Sequence, residues 1–466
     1  MNLMLCARAV SPHAAPSPPA PLPRGPLLFL LLFTVLAPLW STSAAAAPLL
    51  QQGDRVVFLG DSITVAHTWT RAVEEFVRLR HPELDITFVN AGVGGHTASD
   101  GLARLDVDVL AERPTVVLLN FGMNDSSYPE GSDGAAFAQN MGAIIGRLQG
   151  AGVRLILWID TSPFDVGGLA KSGRSRSREE AIVKLVQCTH DEATRRGLVL
   201  VRWHDPIVQA LTSWETAKRP EKLLPDKVHP APALHALMAT QVLRALGEDL
   251  TPPTIEAQYD GASLRFGTAL PSTLPWNASQ ALTLALTAVT APLPLLGSIK
   301  DAADLGAADA LSLRRLLLKV SGLPARHRYR IQVGDVFLGL SSSAQLAAGV
   351  DLMATTTTPL WAPAPPGSTM TVAATPAPST SSCTALTGNP FQNDFECLWG
   401  LLFEKDQLRI AMRNEKTRWL PDFVGKRKGE LLLLNSTWIS EVDTYIRRRA
   451  QAIATTPHRI TLTPVP

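Results

Sequence analysis

Five mostly apolar runs punctuate the first half of the chain: Arg55–Leu59, Asp85–Asn90, Thr115–Phe121, Arg154–Asp160 and Leu198–Trp203. Valine, isoleucine and leucine dominate them with little polar alternation, the pattern of strands covered on both faces. Between them the period lengthens. Thr70–Arg80 brings Ala72, Val73, Phe76, Val77 and Leu79 to near-helical spacing, and Phe137–Gln149 and Arg178–Arg196 have the same texture. This strand–helix alternation, from Gln52 to about Leu250, predicts a parallel sheet with helices on both faces. In such sheets reacting groups gather beyond the carboxyl ends of the strands.

After the helical Ala233–Leu246 the runs shorten, as in Ala262–Phe266, Ala281–Ala288, Leu316–Val320 and Tyr329–Val333. Val336–Leu340 follows Tyr329–Val333 across Gly334-Asp335, which predicts a β-hairpin. The expected organisation is therefore an α/β domain over 52–250 and a small β-rich domain over 255–352. A Thr/Pro-rich linker over 353–382 and a C-terminal segment over 383–466 follow. That last segment has a long helix, Leu431 to Ile453. Arg447–Arg449 near the helix end reads as a solvated terminus that complements the helix dipole.

Composition narrows the classes. A length of 466 residues, 46% of them hydrophobic, suits two or three domains. A formal charge of +2 favours neither nucleic acid nor an anionic surface as partner. At the start, Arg8 and Arg24 supply positive charge ahead of the apolar Leu27–Trp40, and Ser41–Ala47 supplies small residues for cleavage, placed after Ala46. Residues 1–47 thus read as a signal peptide, so the mature protein is expected in the periplasm or outside the cell, without stable membrane insertion. The competing reading is an uncleaved anchor, against which the shortness of the apolar run counts. Three cysteines then remain, Cys188, Cys383 and Cys397, with no spacing suited to zinc, so no metal or other cofactor is expected. A bridge between Cys383 and Cys397 would be worth about 3 kcal/mol on the chain-entropy estimate; the sequence leaves their pairing open. Cys188 reads as a buried free thiol.

Four short blocks carry chemistry. Gly60-Asp61-Ser62 leaves the first strand, Asn90–Gly95 the second and Gly122-Met123-Asn124-Asp125 the third, while Asp226-x-x-His229-Pro230 lies far downstream. A serine hydroxyl is a weak nucleophile until a positioned base takes its proton. His229 is the candidate base, and Asp226, three residues earlier, is the candidate orienter. The amides of Ser62 and Gly95 and the side-chain amide of Asn124 are candidate donors to a tetrahedral oxyanion. Each block alone has a plainer reading: Ser62 as a helix cap, His229 as a surface histidine, Gly94 and Gly95 as a tight turn. The glycine and lysine spacing of a phosphate loop is missing. His67, His190, His204 and His235 lack matching partners and read as structural. Phe121, Met123, Tyr128, Trp158 and Phe164, near the strand ends, suit either a pocket lining or the core.

Taken together and in this order, the four blocks resemble those of the SGNH (GDSL-like) esterases and lipases, over about 200 residues. The resemblance implies a three-layer α/β/α sandwich with a flavodoxin-like parallel sheet. It also implies metal-free hydrolysis of carboxylic esters through an acyl-enzyme. Carried over by position, Ser62 is the nucleophile, Asp226 and His229 complete the triad, and Ser62, Gly95 and Asn124 form the oxyanion hole. Asp61 shapes the nucleophile turn. Ile63 departs from the commoner leucine, and His96 from an acidic or polar residue; His96 either alters the acyl pocket or faces solvent. Leu318–Pro324 and Gln345–Asp351 are similar to a β domain that trails the hydrolase in some exported bacterial members. The expected substrate is a small-molecule or polysaccharide ester, with carbohydrate deacetylation foremost. A lysophospholipase-like hydrolase and a non-catalytic glycan-binding protein are the rival readings. Nothing in the sequence indicates an oligomeric state.

Overall fold

The structure, a computed structural model, describes residues 48–127, 134–164, 173–220, 222–251, 254–267, 273–287, 315–352, 397–403, 405–406, 409, 440–453 and 457–465. The segment expected to be a signal peptide, the Thr/Pro-rich linker, Tyr128 and the first part of the expected C-terminal helix lie outside them.

The apolar runs become β1 (Arg55–Gly60), β2 (Thr87–Gly92), β3 (Val116–Asn120), β4 (Leu155–Ile159) and β5 (Val199–Val201). All pair in parallel, in the order β2-β1-β3-β4-β5. Successive side chains on a strand point to opposite faces, and both faces are buried here. Val56, Phe58, Phe88, Leu118 and Leu157 pack on one side with α2 (Thr68–Arg80), α7 (His204–Thr216) and α8 (Pro232–Ala245). Val57, Leu59, Val89, Val117, Leu119 and Trp158 pack on the other with α3 (Ala98–Ala103), α4 (Leu105–Asp108), α5 (Ala135–Gly150) and part of α6 (Gly173–Arg196). The result is a three-layer α/β/α sandwich. Its strand order has the flavodoxin-like switch point between β1 and β3, where the chain leaves for opposite faces and ligands bind.

At the carboxyl end of β1 the chain turns at once into α1 (Ser62–Val65), a single turn pressed onto the sheet. Two glycines permit that approach. A Cβ on Gly60 would lie 2.2 Å from Thr64 Oγ1, and one on Gly92 would lie 2.4 Å from the Val65 amide nitrogen. Real Cβ atoms do not make such contacts, so a side chain at either position would push α1 off the sheet.

Beyond residue 250 the strands form two further sheets. In the first, β6 (Thr254–Tyr259), β7 (Ser263–Phe266) and β8 (Thr273–Pro275) lie beside β10 (Leu317–Ser321) and β13 (Val350–Asp351), in the order β13-β10-β6-β7-β8. The second is wholly antiparallel, in the order β12-β11-β14-β9. It contains β9 (Leu282–Thr287), β11 (Arg328–Val333), β12 (Val336–Ser342) and β14 (Pro457–Val465). The β11–β12 hairpin turns at Gly334-Asp335, with Gly334 at φ 57°. The last strand sits between β11 and β9, so this sheet draws on both 282–342 and 457–465. Leu264, Leu318, Tyr329, Ile331, Ile460 and Leu462 form the shared core with α9 (Ser343–Ala348) and two C-terminal helices, α10 (397–403) and α11 (440–453). Cys397 is disulfide-bonded, and Cys188 is a half-buried free thiol. No helix among the described residues is long and apolar enough to cross a membrane.

Candidate active site

Asp61 is the N-cap of α1. Its Oδ1 accepts the Ile63 amide at 2.9 Å, which fixes the turn carrying Ser62. The side chain of Ser62 emerges half-exposed at the carboxyl edge of the sheet. His229 comes from the loop before α8, and its Nε2 lies 2.9 Å from Ser62 Oγ. On the other side of the ring, Nδ1 lies 2.6 Å from Asp226 Oδ2. Asp226 Oδ1 meanwhile accepts the amides of Val228 at 3.0 Å and His229 at 2.7 Å. A carboxylate that folds back onto its own loop in this way holds the histidine three residues later at a set angle. Lys227 between them takes φ 74°, the left-handed conformation that such a tight loop needs. His229 and Asp226 are both about half-exposed, so a substrate reaches the site from solvent.

The second and third blocks converge on the same edge. Gly94 approaches the nucleophile turn closely enough that a Cβ there would lie 4.0 Å from the Ser62 Cβ. Gly95 takes φ 77°, with open space where a side chain would stand. Asn124 Nδ2 donates to the His96 carbonyl at 3.0 Å, which ties the β3 loop to the β2 loop. The structure therefore brings Ser62, His229 and Asp226 into one hydrogen-bonded series. It places Gly95 and Asn124 on two linked loops beside it, with Asp61 beneath.

Two supporting residues escape the motif reading. Asp125, buried next to Asn124, accepts the amides of Ala98 at 3.0 Å and Gly122 at 3.1 Å, so one carboxyl pins both loops. Its position within the third block was the available signal. Arg104 on the turn after α3 donates to the carbonyls of Gly60 at 2.9 Å and Ala91 at 2.6 Å, and to His96 Nδ1 at 3.2 Å. It bridges the ends of β1 and β2, and its bond to His96 ties that half-buried ring to the same junction. Nothing in the spacing of Arg104 announces this. Phe121, Met123, Trp158 and Phe164 are buried in the two cores flanking the sheet. His190 pairs with Asp160 at 2.8 Å and His204 with Glu179 at 2.9 Å.

Burial and the neighbouring Asp125 carboxyl push Asp61 up to about 7, against the opposing pull of the Ile63 amide and His229. The folded protein thus keeps this proton over a range in which the unfolded chain, ionising near 3.8, has lost it. The stability contributed is full below about pH 4 and is lost as pH rises through 7. Asp61→Asn keeps the cap acceptor and removes the titration. Wild type is therefore expected to lose about 2–4 kcal/mol relative to Asp61→Asn between pH 4 and 8. Urea unfolding of both proteins across that range checks this; parallel curves would refute it.

A parallel α/β/α sandwich with a serine, a histidine and an aspartate hydrogen-bonded in series at its carboxyl edge defines the class as a carboxylic ester hydrolase. Residues 58–237 match the GDSL-like Lipase/Acylhydrolase family. It is 24% identical to an acetylxylan esterase of Geobacillus stearothermophilus over 215 residues, 42% of this chain and 94% of that protein. It is 31% identical to the esterase TesA of Pseudomonas aeruginosa over 134 residues, 28% of this chain and 62% of that protein. Among solved structures, a gut microbial diltiazem-metabolizing enzyme superposes with a TM-score of 0.60 at 19% identity, covering 89% of this chain and 98% of that one. At that identity the likeness is one of fold, and it extends beyond the hydrolase domain.

Proposed function

We propose that the chain hydrolyses carboxylic esters by a serine acyl-enzyme route, with Ser62 as nucleophile, His229 as base and Asp226 as orienter. The observation that carries this is the 2.9 Å and 2.6 Å series from Ser62 Oγ through His229 to Asp226. His229 Nε2 takes the hydroxyl proton as Ser62 Oγ bonds to the ester carbonyl carbon. The carbonyl oxygen becomes an oxyanion between the amides of Ser62 and Gly95 and the Asn124 side chain. Collapse of the tetrahedral intermediate expels the alcohol, which takes the proton from His229. Water, deprotonated by His229, then attacks the acyl-Ser62 ester, and release of the acid restores the serine. Asn124→Ala is expected to lower kcat about 10²-fold with KM little changed, since the donor acts on charge that develops only in the transition state. Steady-state kinetics on p-nitrophenyl acetate check it.

The proposed substrate is an acetylated carbohydrate, met in the periplasm or outside the cell once residues 1–47 are removed. Three features support this: the half-exposed site, the signal-like start of the chain, and the similarity to an acetylxylan esterase. The proposed domain organisation is a hydrolase domain over 52–250, a β-rich domain over 255–352, a linker over 353–382 and a C-terminal segment over 383–466. Acetate release from acetylated xylan, compared with a p-nitrophenyl ester series of rising chain length, tests the substrate class. Activity confined to acetyl and other short acyl esters is expected. Activity that climbs steeply with acyl length would point to lipid esters instead.

A further inference from the structure

Helix α2 has two buried faces. Trp69, Ala72, Val73, Phe76 and Val77 pack against the sheet and α8, as their spacing requires. Arg71, Glu74, Glu75 and Arg78 recur at three- and four-residue intervals on the other side, the spacing of a solvated face, yet all four are at most 5% exposed. The far end of the chain meets three of them, Arg71, Glu74 and Arg78. Arg78 donates to Asp443 of α11 at 2.6 Å, and Lys405 contacts Glu74 and lies 3.4 Å from Asp443. Nearer the start of α2, the Arg71 guanidinium lies over the ring of Trp399 at 4.4 Å and that of Phe403 at 4.9 Å, both on α10. Asp406, also buried, sits 2.9 Å from His67 Nδ1 and 3.8 Å from Arg71 Nε.

His67 is the residue that joins α1 to α2. It takes φ 58°, a left-handed conformation that costs a non-glycine residue free energy unless its surroundings hold it. The His67 amide donates to the Thr64 carbonyl at 3.1 Å, inside α1. The His67 carbonyl accepts the Arg71 Nε at 2.8 Å, and its ring meets Asp406. The turn is five residues after Ser62, and α1 between them is one helical turn without slack. Arg71 also lies near His235 of α8, a buried histidine whose pKa burial and the Arg71 charge lower to about 3.

We propose that Asp406, from the C-terminal segment, is a positioning residue for the nucleophile. It holds the strained His67 turn through which α1, and Ser62 with it, is set against α2. This rests on the reading of Ser62 as nucleophile. The last part of the chain is then part of the catalytic scaffold, although none of it touches the reacting atoms. Asp443 supplies the internal control, because it belongs to the same buried charge cluster but grips α2 two turns further on, at Arg78.

The test is kinetic and uses the full-length protein with p-nitrophenyl acetate. Asp443→Asn is expected to lower Tm while leaving kcat within about twofold of wild type, whereas Asp406→Asn lowers kcat about tenfold with KM little changed. Asp406→Glu, which keeps the charge, recovers part of that loss. His67→Gly loses the ring contact but accepts the left-handed conformation without strain, so it folds and also loses kcat. It decides the matter if Asp406→Asn does not fold. Wild-type kcat in Asp406→Asn or His67→Gly, or equal kcat losses in Asp406→Asn and Asp443→Asn, would overturn the proposal. Undiminished turnover in Ser62→Ala would instead remove the nucleophile reading on which it stands.

Discussion

Replacing Ser62 by alanine is expected to lower kcat on p-nitrophenyl acetate about 10⁴- to 10⁶-fold. Oγ is the atom that would bond to the acyl carbon, and no other described hydroxyl is bonded to His229. Without it His229 can only activate water directly, and the acyl-enzyme path is closed. The fold should be untouched. Ser62 is half-exposed and its side chain bonds His229, so the change falls among surface substitutions worth within about 0.5 kcal/mol. The far-UV spectrum and Tm should therefore match wild type while turnover disappears.

Asp226→Asn is expected to cost about 10³-fold in kcat, again with little change in stability. Although partial burial works against it, the bonds from the His229 ring and from the Val228 and His229 amides hold the Asp226 carboxyl below its ordinary range. It therefore stays ionised through neutral pH. As an anion it can only accept, which places a proton on His229 Nδ1 and leaves Nε2 free to take one from Ser62. Asparagine turns an amide N–H toward Nδ1. The proton then moves to Nε2, which faces Ser62 as a donor when catalysis needs an acceptor. Oδ1 keeps its two backbone bonds, so the loop holds its shape and the loss is one of tautomer. The expected cost is below that of a buried aspartate because Asp226 is more than half exposed and water offers partial compensation.

The hydrolase fold was legible because its strands are covered on both faces. Continuous runs such as Val116–Leu119 cannot serve a half-solvated sheet, and they alternate with helical periods. The placement of Ser62, Gly95 and Asn124 followed from the same rule, since each comes directly after a strand whose carboxyl end opens on the switch point. What the sequence hid lies in long-range pairing. Arg71, Glu74, Glu75 and Arg78 carry the periodicity of a solvated face, and their burial depends on partners such as Asp443, 365 residues from Arg78. No local pattern encodes that. The same holds for β14, whose alternating Ile460 and Leu462 make sense only once β9 and β11 are in place on either side. Arg104 was illegible for a different reason. It works through three backbone and ring acceptors that share no sequence neighbourhood.

A fluorophosphonate probe tests most directly whether Ser62 is an activated nucleophile. Such a probe phosphonylates a serine only where a base removes the hydroxyl proton and an oxyanion site accepts the developing charge. Wild type and Ser62→Ala are incubated with it, and the adduct is located by mass spectrometry of proteolytic peptides. One adduct on Ser62, absent from the variant, is the predicted result. A folded wild-type protein that takes no label, or takes it on another serine, would contradict it.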